Sequence, residues 1–87
     1  MNPNKRFTDL KVKQQELISE WLYTATYSFY RDKKRMPNKS ERIVILDTVY
    51  YKIEEAGIWI PYNEVRTRYL SRLIHFEKRA MREINRE

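Results

Sequence analysis

Arg68, Arg72, His75, Arg79 and Arg82 follow one another at steps of four, three, four and three residues. That spacing lines all five along one side of an α-helix. A guanidinium is planar, permanently charged, and pairs with phosphate or carboxylate through two parallel hydrogen bonds. Four of them spread over about 21 Å, at the helical rise of about 1.5 Å per residue, can meet several anionic groups at once. The other side of the same segment holds Val65, Tyr69, Leu73, Phe76, Ala80 and Ile84. One face therefore suits a core and the other suits something negative. Five consecutive stripe positions without an acid also depart from the alternating charge usual on a solvated helix face. The ordinary alternative is that Glu16, Glu20, Glu54 or Glu55 reaches across from another helix and pairs with the stripe.

The rest of the charge supports an anionic partner without choosing one. Eighteen Lys and Arg oppose twelve Asp and Glu, for a net charge of +6. Positive residues gather in three places: the C-terminal stripe, the connection bearing Lys33, Lys34, Arg35, Lys39 and Arg42, and the N-terminal Lys5, Arg6, Lys11 and Lys13. Nucleic acid is the leading expectation, with Arg68, Arg72, His75, Arg79, Arg82, Lys33, Lys34 and Arg35 as contacts, because small helical domains grip DNA through basic helices. The order helix, connection, basic helix matches a helix-turn-helix, yet the Gly57–Tyr62 connection exceeds the usual three or four residues. The stripe also lacks the Asn and Gln that read adenine. The contacts expected are thus mainly to the phosphate backbone, which positions a protein and carries little sequence information.

A second reading rests on Tyr23, Tyr27 and Tyr30, which recur on nearly the opposite side of the first helix from its main apolar stripe. Tyr and Arg are enriched where binding energy concentrates in protein interfaces. A tyrosine face left bare would make the chain an adaptor or inhibitor for an acidic protein, or a homodimer. A third helix covering those rings would remove that reading.

Catalysis is not expected. His75 is the sole histidine, and it lies within the cationic stripe. There is no cysteine, which excludes disulfides, thiolate metal sites and cysteine nucleophiles. The single glycine, Gly57, excludes a glycine-rich phosphate loop. No carboxylates stand at a spacing that marks an acid–base pair or a metal site, so no cofactor, metal or small-molecule substrate is expected. The basic C-terminal helix has the composition of a membrane-surface helix, but the bundle core claims its apolar side and no membrane partner is expected. No apolar run reaches the roughly 18–20 residues that span a bilayer. The N-terminal residues lack the apolar block of a signal peptide. The expected location is the cytoplasm.

Three helices must position these residues. The first is expected from Thr8 or Asp9, as caps, to about Lys33, with Leu10, Leu17, Ile18, Trp21, Leu22, Ala25 and Phe29 as its core stripe. The second follows Ser40 as N-cap and ends near Ala56, with Gly57 in the left-handed conformation that closes many helices. Its apolar residues run most of the way round, which marks it as the most buried helix. Ile58-Trp59-Ile60-Pro61 is extended, since residues before proline avoid the helical region, and Trp59 is placed to plug the end of the core. The third helix starts at Tyr62 or Asn63 and reaches about Asn85. The fold class is all-α: a three-helix bundle with two long outer helices and a shorter central one. Residues 1–87 form one domain, with 1–7 a disordered tail.

Overall fold

The computed structural model describes residues 4–86. A single 3₁₀ turn, Phe7–Asp9, leads into α1 (Val12–Lys33), α2 (Lys39–Glu55) and α3 (Tyr62–Asn85). The chain is an all-α three-helix bundle in which α2, with 17 residues against 22 and 24, is the shortest helix. α1 packs against both other helices, whereas α2 and α3 touch each other least. The core is a continuous apolar cluster that includes Ile18, Leu22 and Tyr23 of α1, Leu46, Val49 and Ile53 of α2, and Val65, Tyr69, Phe76 and Ala80 of α3.

The chain enters α1 differently from expectation. Thr8 and Asp9 lie in the preceding 3₁₀ turn, where the Asp9 carboxylate accepts the Arg6 N–H at 2.9 Å. Leu10 is extended, Lys11 stands at the N-cap, and the Gln14 side chain accepts the Lys11 N–H at 3.2 Å. The expected tail ends sooner as well. Residues 1–3 lie outside the described residues, but Phe7 is buried and its N–H donates to Glu64 Oε1 at 2.9 Å. An aromatic ring with a place in the core, and a backbone donor with a carboxylate waiting in the first turn of α3, hold this segment down.

At the other end of α1, Lys34 takes up φ +59° and donates its N–H to the Tyr30 carbonyl at 2.8 Å, closing the helix. The N-cap of α2 is Asn38 and not Ser40. Asn38 Oδ1 accepts the Glu41 N–H and Glu41 Oε1 accepts the Asn38 N–H, each at 2.9 Å, which satisfies two orphan donors of the first turn at once. Arg35 extends this box with two bonds to Glu41, at 2.7 and 2.9 Å. The Arg35 hydrogen bond is the main cause that pulls the Glu41 carboxyl down to about 2.

α2 closes as expected. Gly57 has φ +72°, its N–H donates to Glu54 O, and the Ile58 N–H reaches back to Ile53 O at 3.1 Å. Both bonds of a Schellman ending are therefore present, with Ile58 and Ile53 buried beside them. The extended link that follows buries alternate residues: Ile58 and Ile60 go into the core, while Trp59 is only half-buried. The isoleucines, and not the tryptophan, seal that end. The Tyr50 hydroxyl donates to the Ile60 carbonyl at 2.6 Å, and Tyr62 packs edge-on against Tyr50 while donating to Asp47 at 3.0 Å. α2 is not the most buried helix, because Ile43, Val44 and Tyr51 are exposed. Leu17 of the expected α1 stripe is exposed too.

One polar pair lies at the centre. Thr26 Oγ1 donates to the Leu22 carbonyl at 2.8 Å and stands 2.6 Å from the Tyr69 hydroxyl. A threonine hydroxyl has a single proton, and the Leu22 carbonyl takes it, so Tyr69 donates to Thr26. Both residues are fully buried. Thr26→Val strands the Tyr69 hydroxyl without an acceptor and is expected to cost about 1–3 kcal/mol, whereas Tyr69→Phe removes the donor and costs about 1 kcal/mol. The double variant should recover part of the Thr26→Val loss, and urea melts of the three proteins measure the order. A Tyr69→Phe protein less stable than Thr26→Val would contradict the assignment of the proton.

The cap of α2 has a pH signature. A carboxyl held low in the folded state stabilises above its ordinary pKa and loses that contribution as pH falls through its folded value. The stability difference between the wild type and Glu41→Gln should therefore be full above about pH 4.5 and fade towards about pH 2. Thermal melts across that window check it.

Candidate functional site

The five stripe residues all fall on α3, and the fold brings them to a groove against α1. Ser19 of α1 with Arg68, Arg72, His75, Phe76, Arg79 and Arg82 of α3 line a groove of about 320 Å³. A neighbouring groove, lined by Val12, Gln15, Glu16, Ser19, Glu20 and Arg68, continues it along α1. The expected gathering of cations on one face is present, but its members differ sharply in their partners.

Arg79 is engaged within the fold. Its guanidinium lies 3.8 Å from the centre of the Tyr23 ring, Nη1 donates to Glu20 Oε1 at 2.8 Å, and Nε donates to Glu83 Oε1 at 3.2 Å. The Glu20 bond, more than any other cause, raises its pKa further. Glu83 also accepts the Tyr23 hydroxyl at 2.7 Å. That bond is the largest of the influences that lower the Glu83 carboxyl, ahead of Arg79. Burial, followed by the Glu83 contact, raises the Tyr23 hydroxyl in turn. Glu20, one of the acids suspected of reaching the stripe, does so, but only at Arg79.

Arg68, Arg72 and Arg82 have no carboxylate partner among the described residues. Arg68 lies 4.8 Å over the Phe7 ring, and its Nε is buried without a hydrogen-bond acceptor. Burial, with neighbouring Arg72 as the lesser cause, pushes its pKa down. Arg72 is half-buried, while His75 and Arg82 are exposed on the lip of the groove. The arrangement is a short row of cations on an apolar-backed ledge, one of which lacks an acceptor. It can receive oxyanions through hydrogen bonds and charge. Among the described residues no group of His, Cys, Asp or Glu is placed to hold a metal ion.

The connection cluster is not part of this groove, whose lining includes none of Lys33, Lys34 and Arg35. Arg35 is tied to Glu41 and lies 5.2 Å over the Phe29 ring, so it braces the α1–α2 turn. Lys33 and Lys34 are exposed at the end of α1. The tyrosine face also changes character. Tyr23 is 4% exposed and packed against Tyr27 and Phe76, and Tyr27 and Tyr30 are themselves partly buried. α3 covers Tyr23 through Phe76, and Tyr27 and Tyr30 pack against the edge of the core. The rings that carry Arg68 and Arg79 are Phe7, which the sequence does not single out, and Tyr23, which it assigns to a separate interaction face. The signal available was the coincidence of many Arg with many aromatic residues, a combination that favours cation–π stacking.

No family model, curated protein or solved structure matches the chain. No helix among the described residues is long and apolar enough to cross a membrane. Function must therefore be argued from the surface chemistry.

The Arg79 hub makes a local prediction. Tyr23→Phe removes the hydrogen bond that most lowers the Glu83 carboxyl, so its titration midpoint should rise towards the ordinary carboxylate value. Carbon-detected NMR of the glutamate carboxyls against pH reads the midpoint. An unmoved Glu83 midpoint in Tyr23→Phe would show that Arg79 and Arg86 set it without the tyrosine.

Proposed function

We propose that this protein is a non-catalytic nucleic-acid-binding protein that contacts phosphates through the α1/α3 groove. The observation that carries the reading is that Arg68, Arg72 and Arg82 line one groove and have no carboxylate within ion-pair distance among the described residues. Arg68 adds weight, since its guanidinium is held over the Phe7 ring at the groove and its Nε finds no acceptor within the fold. His75 adds a hydrogen-bonding group at the lip, and Lys78 a further exposed charge beside it. Arg79 serves as the post that fixes the face and not as a phosphate contact. The contacts available are to backbone oxyanions, so the binding is salt-sensitive and weakly selective for sequence. The reading through Tyr23, Tyr27 and Tyr30 needs exposed rings, and Tyr23 is buried.

Three phosphate contacts give a log–log salt slope of about −2.7, or roughly 40-fold weaker binding between 50 and 200 mM salt. Fluorescence anisotropy of labelled duplex and single-stranded DNA, titrated with the protein across that range, should show this slope. Arg72→Glu with Arg82→Glu should abolish binding while the helical circular dichroism stays unchanged. Arg79→Glu, by contrast, should lower the melting temperature, because it places an acid against Glu20 and Glu83. No binding at the lowest salt, or binding indifferent to the double substitution, would remove the groove from consideration.

A further inference from the structure

α3 has a third face that neither the core nor the basic groove uses. Leu70, Ile74 and Met81 fall on one side of the helix and are 37%, 67% and 46% exposed. The cause is where α2 lies along α3. The middle of α2 meets the first residue of α3 through Asp47 and Tyr62, and Lys39, the first residue of α2, lines a common groove with Leu70. α3 therefore continues beyond the start of α2, and Ile74 and Met81 are left without a covering helix. Where the two helices still meet, Ile43, Leu46 and Leu70 form the apolar floor of a groove of about 150 Å³, and Lys39, Arg42 and Arg66 form its rim. Among the described residues none of those three cations has a carboxylate partner, and no acid lines the groove. Exposed Lys78 lies on the other flank of the strip.

We infer that this face docks an acidic amphipathic helix of another protein. From Leu70 to Met81 the strip runs about 16 Å, or three helical turns, which fits the apolar i, i+3, i+4, i+7 face of such a helix. Acidic side chains flanking that face meet Lys39, Arg42 and Arg66, so the charge of the rim selects the partner. A second copy of this chain does not satisfy the same rim. A twofold contact through this face sets basic residues against basic residues, and the chain carries a net charge of +6. A lipid surface meets the charge, but a concave groove with Leu46 at its floor accepts a protruding side chain better than a flat interface. The proposal concerns a different face from the α1/α3 groove and stands or falls separately.

The test uses a fluorescein-labelled synthetic peptide of about 15 residues, helical, with leucines at i, i+3, i+4 and i+7 and glutamates on both flanks. Anisotropy should show saturable binding. It should weaken at least tenfold in Ile43→Ser with Ile74→Ser, and similarly in Arg66→Glu. Arg72→Glu, on the other groove, should bind the peptide like the wild type. A peptide of equal charge with serines in place of the leucines should bind at least tenfold more weakly, which separates docking from bulk attraction. All substituted positions are exposed or half-exposed, and urea midpoints confirm the fold. Should the serine pair loosen the bundle, the exposed Arg66→Glu variant decides alone. The inference is overturned if the wild type does not bind the leucine peptide, or if neither variant weakens it. It is also overturned if light scattering shows an Ile74-dependent dimer in place of peptide binding. Capture of phosphatidylserine vesicles through Ile74, without peptide binding, would assign the face to a membrane surface.

Discussion

Tyr23 decides how α1 meets α3. Its ring is buried against Tyr27 and Phe76, its hydroxyl reaches Glu83, and Arg79 lies across its face while holding Glu20. Burying so large a ring contributes more to the helix contact than any exposed ion pair does. It also commits its polar end, because a buried hydroxyl needs a partner. Glu83 supplies the partner, and the carboxylate so placed draws in Arg79. One aromatic residue thus removes one cation from the stripe by engaging it within the fold. The buried Val65, Tyr69, Phe76 and Ala80 fix which way α3 faces, and the spacing of the arginines on its other side then places them along the groove.

Much of the fold is legible in the sequence because helix signals are local. The apolar period marks α3 and most of α1, and Gly57 marks the end of α2 by the one residue type for which φ +72° carries no steric cost. The start of α2 was legible too, in Asn38-x-x-Glu41, but Ser40 offers a competing cap one turn position away. Only the reciprocal bonds between Asn38 and Glu41 decide between them. The tail was read too long for a different reason. Phe7 is one aromatic residue in a polar stretch, and nothing nearby in the sequence announces that Glu64 and Arg68, some sixty residues on, will hold it. The site shows the same division. Its spacing on α3 is a property of one helix and was readable. The state of each cation depends on residues far along the chain, so Arg68, Arg72 and Arg79 look alike in sequence and differ in the folded protein.

The aromatic residues explain the difference among the arginines. A guanidinium is weakly hydrated and stacks on rings, so it can sit against the core without full ion pairing. Arg31, Arg35, Arg68 and Arg79 each lie over a ring. Arg35 and Arg79 add carboxylates from beyond their own turn and become struts of the fold, whereas Arg31 pairs only with its exposed chain neighbour Asp32. Arg68 has the ring, keeps its charge beside Arg72, and leaves its Nε without an acceptor. Lysine in that place would carry the charge on a flexible stem and would not be preorganised by the phenylalanine beneath it. The distinction between a structural and an available arginine is therefore set by whether an acid completes the stack.

The point at which α2 starts organises what is left of the surface. A second helix extended at its N-terminal end along α3 would cover Ile74 and Met81 and would leave α3 a two-faced helix of core and charge. A helix of 17 residues stops short, so α3 presents three faces: one to the core, one cationic and one apolar with a cationic rim. The two exposed faces ask for different chemistry. Oxyanions in a row satisfy the first, because charge and hydrogen bonds act on phosphates without an apolar component. The second gains from removing apolar surface from water, and charge alone does not satisfy it. Salt accordingly separates them: screening weakens contacts to phosphate steeply, whereas burial of Leu70, Ile74 and Met81 persists when charges are screened. A helix held rigidly by Tyr23 and Arg79 can offer both faces without moving, since neither requires the groove to open.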